Sequence, residues 1–265
     1  MSKPPTVSLI VSTFDQPEYL RRVLEAVSRQ SRRPQEILLA DYGSEDETRE
    51  IFMRWSAQQP FPGRHFWQAH DGFRKAHILN RAVAAANTDY LIFLDGDMVP
   101  HRDFIADHCA AARPAVFIQG HRALVEQKAA AWFGRRELAV DRRRALWQGQ
   151  ISGWKNACRW PFLFLSEKKH LRGIRGCNLS LWRADMLRVN GYNEDFTGWG
   201  REDSEFAARL INAGVRRLDL RGRAICFHLW HPPASRIQLP CNDELLEKTI
   251  RDKIVRCVNG LDRHS

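Results

Sequence analysis

Long apolar runs are absent from this 265-residue sequence, and none approaches the roughly 20 residues that a helix needs to cross a bilayer. The N-terminal MSKPPTVSLIVSTF has too short an apolar stretch for a signal peptide and leads directly into a strand pattern. We therefore expect a cytoplasmic protein. The hydrophobic content of 44% is sufficient for a globular core.

Motifs typical of several other protein classes are also missing. The six cysteines include no C-x-x-C pair, so they suggest neither a zinc ribbon nor a disulfide framework. VSTFDQPEY is not the Gly-rich phosphate loop that a nucleotidyltransferase usually carries near its N-terminus. Without a zinc finger, an RNA-recognition signature or a basic zipper, we expect no nucleic-acid partner.

Positive charge is in excess and is concentrated in one part of the chain. The formal net charge is +10, and residues 133–175 are rich in Arg and Lys. Tryptophans lie among or beside these residues, at Trp132, Trp147, Trp154 and Trp160. Basic residues with interleaved indoles suit an anionic membrane surface. A solvated helical insertion with inward-packed tryptophans is the alternative, and both interpretations stay open.

Strand and helix patterns alternate through the first half of the chain. The segments between the predicted strands have apolar residues at helical spacing, and Ser44 and Glu47 stand at capping-box spacing before the second helix. The predicted strands are VSLIV (7–11), EILLA (36–40), RHFWQ (64–68) and YLIFL (90–94). This alternation predicts an α/β fold with a mostly parallel central sheet flanked by helices.

Polar residues follow the predicted strands. Thr13 follows the first strand, Asp41 the second, and Asp95 and Asp97 the fourth. In parallel sheets, ligands bind beyond the carboxyl ends of the strands. Asp95 and Asp97, separated by Gly96, suit Mg²⁺ or Mn²⁺, whose shell is usually completed by water and ligand phosphates. A turn that caps the next helix is the alternative interpretation of this tripeptide.

Taken in order, these segments resemble the inverting family 2 glycosyltransferases of the GT-A (Rossmann-like) fold. The matching elements are VSTF, ADYGSED and LDGDMVP, which bind a nucleotide sugar in that family. Residues 175–206 resemble the acceptor-side segment of β-1,4-galactosyltransferases and chondroitin polymerase domains. The resemblance covers most of the chain and implies a single glycosyltransferase domain over residues 1–265. Its expected parts are a nucleotide-sugar-binding half (5–120), a basic helical insertion (121–172), an acceptor and catalytic half (173–232) and a C-terminal helical tail (233–265).

On the donor side, the resemblance implies contacts to the nucleoside and to the metal. Thr13 and Asp41 are expected to contact the nucleoside, with Asp41 accepting from the base. Asp95, followed by Gly96, is expected near the ribose and the metal. Asp97 is expected to be the direct ligand of Mn²⁺ or Mg²⁺.

The segment DGFRKAHILNRA departs from the family pattern. Relatives carry an arginine just before the asparagine, where this chain has Leu79 before Asn80. The resemblance implies a nucleotide contact by Asn80, and because the arginine is missing we expect Arg74 or Lys75 to supply the cation. Ordinary charge on a helix surface is the alternative for both residues.

The segment GWGREDSEF has acceptor-side features. The indole of Trp199, next to Gly200, offers a flat apolar face to a pyranose ring. Glu202 and Asp203 begin a predicted helix, where acidic residues are also favoured by the helix dipole. The resemblance implies that this acidic pair meets the acceptor hydroxyl and that Asp203 is the general base. Asn178, in the same acceptor-side segment, is expected to contact the acceptor.

The segment AICFHLWHP (224–232) supplies candidate nitrogen ligands. His228 follows an apolar run, and the resemblance implies that it closes the metal shell opposite the D-x-D element. His231 is the alternative ligand.

The resemblance implies a metal-dependent hexosyltransferase that moves a sugar from a nucleotide sugar, with UDP as the expected nucleotide, to a glycan hydroxyl. The expected acceptor is a soluble glycan or a lipid-linked one, such as lipopolysaccharide core or an undecaprenyl-linked glycan of bacterial cell-surface polysaccharide synthesis. A peripheral membrane location goes with the second acceptor. A nucleotidyltransferase and a catalytically inactive sugar-nucleotide-binding protein are the alternatives.

The helical tail is expected to pack on the sheet or to pair with another subunit.

Overall fold

The computed structural model describes residues 4–162 and 164–264 and contains two β-sheets flanked by helices. The strands are β1 (Val7–Thr13), β2 (Glu36–Asp41), β3 (Gly63–Trp67), β4 (Tyr90–Asp95), β5 (Met98–Pro100), β6 (Val116–Gln119), β7 (Arg122–Val125), β8 (Ile151–Ser152), β9 (Phe164–Lys168), β10 (Asn178–Trp182), β11 (Arg216–Arg221) and β12 (Cys226–His228). These strands form an eight-stranded sheet and a four-stranded sheet.

Helices connect most of the strands. They are α1 (Pro17–Ser28), α2 (Asp46–Ser56), α3 (Lys75–Ala84), α4 (Phe104–Ala111), α5 (Gln127–Ala130), α6 (Leu138–Trp147), α7 (Arg183–Arg188), α8 (Glu202–Asn212) and α9 (Leu239–Arg251), with 3-10 helices at Trp154–Ala157 and Leu261–His264. Within the described part of the chain, none of these helices is both long enough and apolar enough to span a membrane.

The large sheet has the strand order β3-β2-β1-β4-β10-β6-β11-β9. Its first half, β3 to β4, is parallel, as the alternating pattern predicted. Strand β10 then runs antiparallel to both β4 and β6. The sheet is therefore parallel on the side of the first four strands and mixed beyond it. The small sheet, β5-β12-β7-β8, carries the end of β12 beside the segment that follows β4.

The core lies on both faces of the large sheet. Successive residues of β1 point to opposite faces, so Leu9 and Val11 pack with α1 and α2, whereas Ile10 packs with α3 and α8. Every residue of β1 is buried, which is typical of a parallel strand covered on both faces. This covering leaves the carboxyl ends of the strands as the edge at which polar groups collect.

The capping box predicted from Ser44 and Glu47 is wrong. Helix α2 starts one residue later than that spacing requires, with Glu45 as its N-cap, and no side chain of the described residues caps it. The Ser44 hydroxyl instead accepts a hydrogen bond of 2.8 Å from the backbone nitrogen of Asp15. This serine therefore joins the loop after β1 to the loop after β2.

Residues 121–172, predicted to be helical, are only partly so. They contain α5, α6 and a 3-10 helix, but also β7, β8 and β9. Strand β7 pairs with β12 and β9 pairs with β11, both far along the chain. Local periodicity does not reveal partners that are distant in sequence. The sequence analysis therefore did not predict these short strands.

The C-terminal tail packs on helix α8. The side-chain amide of Asn242 in α9 donates to the carbonyl oxygens of Thr197 (3.1 Å) and Gly200 (2.9 Å), just before α8. Further along α9, the hydroxyl of Thr249 donates to Glu205 of α8 at 3.1 Å. The tail thus contacts the segment that precedes Asp203, and its Leu261 belongs to the same hydrophobic cluster as Ile10 and Phe93 of the large sheet.

Candidate active site

A buried lysine meets an aspartate beyond the carboxyl ends of β1 and β4. Lys75 is the first residue of α3, and its Nζ lies 2.7 Å from Asp95 Oδ1, which also accepts 2.6 Å from the Ser12 hydroxyl. Burial alone would lower the pKa of Lys75, but the carboxylates of Asp95, Asp203 and Glu202 raise it well above its ordinary value. Lys75 is therefore a fixed positive charge within an acidic group.

Arg74, the other predicted cation, points elsewhere. Its guanidinium lies 3.2 Å from Asp71, and this pair is exposed. Helix α3 begins at Lys75, so the helix directs the second residue of the pair, and not the first, toward Asp95. Of the two basic residues, the structure brings Lys75 into the site.

Gly96 allows the D-G-D turn to pack against the end of β1. Its backbone nitrogen donates to Ser12 O at 2.7 Å, and a Cβ at Gly96 would lie 2.8 Å from Thr13 Oγ1. That separation is too short for a real contact, so only glycine fits without a shift. Thr13 Oγ1 is itself buried and finds no hydrogen-bond partner among the described residues. The turn between Asp95 and Asp97 therefore packs directly against Thr13.

Asp97 faces both candidate histidines. Its Oδ2 lies 3.0 Å from His231 Nε2 and 3.5 Å from His228 Nε2, and the two Nε2 atoms are 3.2 Å apart. The pairing of β12 with β5 explains this, because it sets His228 opposite Met98, the residue after Asp97. The structure thus brings together Asp97, His228 and the alternative ligand His231, and does not choose between the two histidines.

These three residues fit a divalent cation. The ligand atoms of the group lie within 4.8 Å of one another. Asp97 Oδ1 is buried and has no hydrogen-bond partner in the described part of the chain, as expected of an oxygen kept for a ligand. A carboxylate with two imidazoles suits a transition-series ion such as Mn²⁺ better than Mg²⁺, which prefers oxygen ligands.

The charges of Asp97 and its histidines support one another. Burial would raise the pKa of Asp97, but hydrogen bonds from His228 and His231 hold it well below its ordinary value. The hydrogen bond to Asp97 raises the pKa of His231 in return. Asp97 therefore stays ionised, which a metal ligand must be.

The acidic pair opens helix α8 beside Gly176. Asp203 Oδ2 accepts 2.6 Å from Gly176 N, whereas Asp203 Oδ1 is buried without a hydrogen-bond partner within residues 4–162 and 164–264. The residue before the helix, Arg201, has a left-handed backbone with φ 76, which is uncommon for a side chain other than glycine. It is held by an ion pair with Asp243 of α9.

The two carboxyl groups of the pair differ in their surroundings. Burial, followed by the charge of Asp203, raises the pKa of Glu202 to about 8. Burial also raises the pKa of Asp203, but Lys75 and the Gly176 amide act against this. Asp203 is therefore the group that ionises first, and Glu202 holds its proton to higher pH.

Asp41, predicted to contact the nucleoside, is fully buried at the end of β2. Its Oδ1 accepts from the backbone nitrogens of Gly43 (3.2 Å) and Ser44 (2.9 Å), and its Oδ2 lies 3.0 Å from His65 Nε2. The carboxylate thus shapes the turn after β2. A contact of Asp41 with a base stays a prediction.

The two predicted asparagines lie within the protein. Asn80 binds the Tyr192 backbone through both ends of its amide, with Nδ2 to O and Oδ1 to N both at 2.8 Å. Asn178 donates to His121 O at 2.8 Å and to Ala224 O at 2.9 Å. Both side chains are almost completely buried. They tie segments together beneath the site, and this placement gives no support to direct ligand contacts.

An aromatic group that the sequence analysis missed lies next to Thr13 and Asp41, the residues predicted to contact the nucleoside. The ring of Phe14 stacks on Tyr42 at 5.1 Å and on His70 at 4.7 Å, and Phe73 meets Tyr42 edge-on at 5.5 Å. Phe14 and Tyr42 directly follow Thr13 and Asp41. An aromatic residue after the polar residue that ends each strand was therefore the sequence pattern that could have indicated this group. Such rings offer flat faces to a planar ligand.

Arg122 was also missed. It begins β7, and its guanidinium lies 3.6 Å from Cys177 Sγ. Burial would lower its pKa, but Cys177, Asp95 and Asp97 raise it. Arg122 is thus a second cation, half-buried, whose charge acts on these carboxylates, and the pairing of β7 with β12 brings it there.

Trp199 lies on the loop before the acidic pair and is 39% exposed. Arg236 stands over its ring, with 5.5 Å between the guanidinium carbon and the ring centroid. The neighbouring Gly200 has φ +107, a backbone conformation that favours glycine, and packs against Leu239 of α9. The indole is therefore partly exposed, with the Arg236 guanidinium over its ring.

Sequence comparisons match two family models. Glycosyl transferase family 2 matches residues 8–177, and the N-terminal domain of galactosyltransferase matches residues 163–232. Validoxylamine A glucosyltransferase from Streptomyces hygroscopicus subsp. limoneus is 27% identical over 238 residues, covering 81% of this chain and 49% of that protein. Chondroitin synthase from Escherichia coli is 22% identical over 254 residues, covering 86% of this chain and 35% of that protein. The chain thus spans about half or less of the length of these relatives.

Solved structures with the same fold include two nucleotide complexes. S. aureus TarS bound to UDP superposes with a TM-score of 0.67 at 14% identity, covering 98% of this chain and 68% of that one. The mannosyltransferase PcManGT from Pyrobaculum calidifontis, in complex with GDP-Man and Mn²⁺, gives a TM-score of 0.58 at 18% identity, covering 94% and 70%. At such identities the likeness concerns the fold.

Proposed function

Because the chain belongs to glycosyl transferase family 2 and has the GT-A fold, we propose that it transfers a hexose from a nucleotide sugar, with UDP as the nucleotide, to a glycan hydroxyl. One observation carries the proposal. Asp97 and Asp203 each have a buried oxygen without a hydrogen-bond partner in the described residues, and charged Lys75 lies among these carboxylates. Such an arrangement suits a metal-bound diphosphate on one side and an attacking hydroxyl on the other.

The donor side would hold the diphosphate through a cation and two basic side chains. Asp97, His228 and His231 would bind Mn²⁺, which when bound offsets the negative charge of the departing nucleotide. Lys75 and Arg122 supply fixed positive charge on the same side. The stacked rings of Phe14 and Tyr42, beside Thr13, support binding of the planar base at the mouth of the site.

On the acceptor side, Asp203 would be the general base. Its Oδ1 takes the proton of the acceptor hydroxyl as the acceptor oxygen bonds to the anomeric carbon and the bond from that carbon to the diphosphate breaks. A one-step displacement inverts the anomeric centre, so a UDP-α-sugar would give a β-glycoside. Glu202, protonated up to about pH 8, limits the charge repulsion around this base.

We further propose a lipid-linked glycan as the acceptor, presented at an anionic membrane surface of a bacterial cell. Trp147, Trp154 and Phe162 are 87%, 58% and 79% exposed. Trp132, by contrast, packs against the core with Arg144 stacked over its ring at 4.4 Å. Inward packing therefore accounts for one tryptophan of the segment and not for the exposed ones. Peripheral membrane binding and cell-surface polysaccharide synthesis are part of this proposal, and a soluble glycan acceptor is its rival.

A donor screen tests the function. UDP- and GDP-sugars would be incubated with Mn²⁺, Mg²⁺ or EDTA while nucleotide release is measured with and without acceptor glycans. We expect release from a UDP-sugar with Mn²⁺, its loss in EDTA and its loss in Asp97→Ala, but not in Asp46→Ala, an exposed aspartate on α2. Full activity in EDTA would contradict the metal proposal. Nucleotide binding without release under any condition would favour an inactive sugar-nucleotide-binding protein.

A further inference from the structure

A second group of potential metal ligands joins three segments outside the candidate active site. His77 of α3, Glu194 of the loop before α8 and His264 of the C-terminal 3-10 helix bring their ligand atoms within 4.8 Å of one another. His77 Nδ1 lies 2.9 Å from Glu194 Oε2, and His264 Nε2 lies 2.6 Å from Glu194 Oε1. We propose that this group is a structural binding site for Zn²⁺ or a cation of similar preference.

The ligand types favour such an ion. Two imidazole nitrogens and one carboxylate, with an open fourth position, form a common ligand set of Zn²⁺. Hard ions such as Ca²⁺ and Mg²⁺ prefer sites made of oxygen, so they would be poor occupants. The imidazole rings stand nearly perpendicular, at 82° with 4.8 Å between their centroids, which lets both nitrogens approach one point without the rings colliding.

The carboxylate of Glu194 is held in place from behind. Asn80 Nδ2 donates to its Oε1 at 2.8 Å, and its backbone nitrogen donates to Asn259 O at 2.9 Å. Burial would raise the pKa of Glu194, but the hydrogen bonds from Asn80, His77 and His264 lower it. The carboxylate is therefore ionised and oriented. Hydrogen-bond partners commonly orient metal ligands in this way.

The group is accessible to an ion from solvent. The side chain of His77 is 29% exposed, while those of Glu194 and His264 are 7% and 13% exposed. Solvent can therefore reach the group past His77 and supply a water as fourth ligand. Tetrahedral ligands about 2.0 to 2.1 Å from Zn²⁺ are roughly 3.3 Å apart, so the His77–Glu194 atoms need to spread by about 0.4 Å and the His264–Glu194 atoms by about 0.7 Å.

The site is separate from the candidate active site although both use α3. Residues two apart on a helix point about 200° away from each other, so His77 lies on a different side of the helix from Lys75. Lys75 contacts Asp95, whereas His77 contacts Glu194. An ion at His77 would fix the loop of Glu194, which continues into Trp199 and Asp203, onto α3. Its expected effect is thus on stability and not on nucleotide binding.

Metal titration of the tag-free full chain tests the site. The probes are Zn²⁺, followed by calorimetry and thermal unfolding, and Co²⁺, followed by the visible absorption of its four-coordinate form. All samples would carry Asp97→Ala, which removes metal binding by Asp97, His228 and His231 in the candidate active site. In this background we expect one equivalent of Co²⁺ to bind and Zn²⁺ to raise the melting temperature.

His77→Gln is the decisive variant, because an amide can still donate to Glu194 but is a poor ligand. We expect it to unfold near the parent temperature without metal and to lose both the Co²⁺ absorption and the Zn²⁺-dependent rise. His170→Gln, at an exposed histidine, is the matched control and should keep both. Absence of Co²⁺ binding in the Asp97→Ala background, or an equal Zn²⁺ effect with and without His77, would overturn the proposal. Neither result bears on sugar transfer, which is measured separately.

Discussion

The carboxylate of Asp203 rests directly on the backbone of Gly176. Gly176 N donates to Oδ2 at 2.6 Å, and a Cβ at position 176 would lie 2.3 Å from Oδ1. The glycine thus orients one oxygen and leaves the space that the other one fills. The residue that sets the direction of the proposed base is therefore far from it in sequence, next to the start of β10.

Gly176→Ala tests this relationship. The added methyl group would displace the Asp203 carboxylate, so sugar transfer should fall toward the loss caused by removing a general base, about 10² to 10⁴ in rate. UDP binding with Mn²⁺, measured by calorimetry, should be kept. Asp203→Asn, which preserves shape but removes the base, is the comparison variant. It should also lose sugar transfer and keep UDP binding. Wild-type transfer by Asp203→Asn would place the base elsewhere, with Glu202 first in line.

The pKa of Glu202 predicts how stability depends on pH. It rises from 4.5 to about 8 on folding, so the folded chain takes up a proton between these values. The contribution of this group is greatest below about pH 4.5 and is lost as the pH rises through about 8. Glu202→Gln, which stays neutral, should therefore gain stability relative to wild type over this window, on the order of a few kcal/mol.

Urea unfolding at several pH values in EDTA would measure this difference. Glu47→Gln, an exposed carboxylate on α2, is the control and should follow wild type. A constant difference between Glu202→Gln and wild type from pH 5 to pH 8.5 would show that Glu202 titrates normally.

Both histidines near Asp97 are predicted to bind the metal. His228→Gln and His231→Gln should each weaken Mn²⁺ binding, because each Nε2 lies close to Asp97 Oδ2, at 3.5 and 3.0 Å. Spin-resonance titration of free Mn²⁺ would give the affinities, and His170→Gln serves as a control. If one of the two variants bound Mn²⁺ as tightly as wild type, the shell would contain a single histidine.

Membrane binding is predicted to depend on the exposed rings and charges of residues 142–168. Vesicles with anionic lipid should bind the protein at low salt and release it as salt rises, since charge attraction is screened within about 10 Å at 0.1 M. Trp147→Ala combined with Arg143→Glu should weaken sedimentation with vesicles and leave donor hydrolysis unchanged. Arg49→Glu, an exposed charge reversal on α2, is the matched control. Equal binding by all three proteins would favour the solvated interpretation.

The parts of the fold that depend on local pattern were predictable. Strands β1, β2 and β4 were confirmed because each is a short apolar run followed by a polar residue, and burial on both faces favours that pattern. Strand β3 was confirmed too, although its sequence is more polar and it is only partly buried. Asp95 and Asp97 could be placed because they end such a strand. The mixed half of the sheet was not predictable, since β9 and β10 pair with strands distant in sequence.

The sequence indicated which carboxylates lie in the site. It did not indicate which basic and amide side chains surround them. Sequence spacing could not decide whether Arg74 or Lys75 faces Asp95, because that depends on where α3 begins. Asn80 and Asn178 lie in segments expected to bind ligands, yet their amides hold backbone groups of other segments. Arg122 escaped notice because a strand pairing, and not its neighbours in sequence, brings it to the site.

The antiparallel strand β10 connects the two halves of the proposed active site through one β-sheet. It is hydrogen-bonded to β4, with Asn178 opposite Leu94, so the backbone that leads to Gly176 runs beside the backbone that leads to Asp95. A hinge rotation between the donor and acceptor halves would have to break this ladder. In the proposed reaction, the spacing between the departing nucleotide and Asp203 would thus be set when the sheet forms. Substrate-dependent motion is left to the surrounding loops, and differences in sugar and acceptor choice can arise there without disturbing the chemistry.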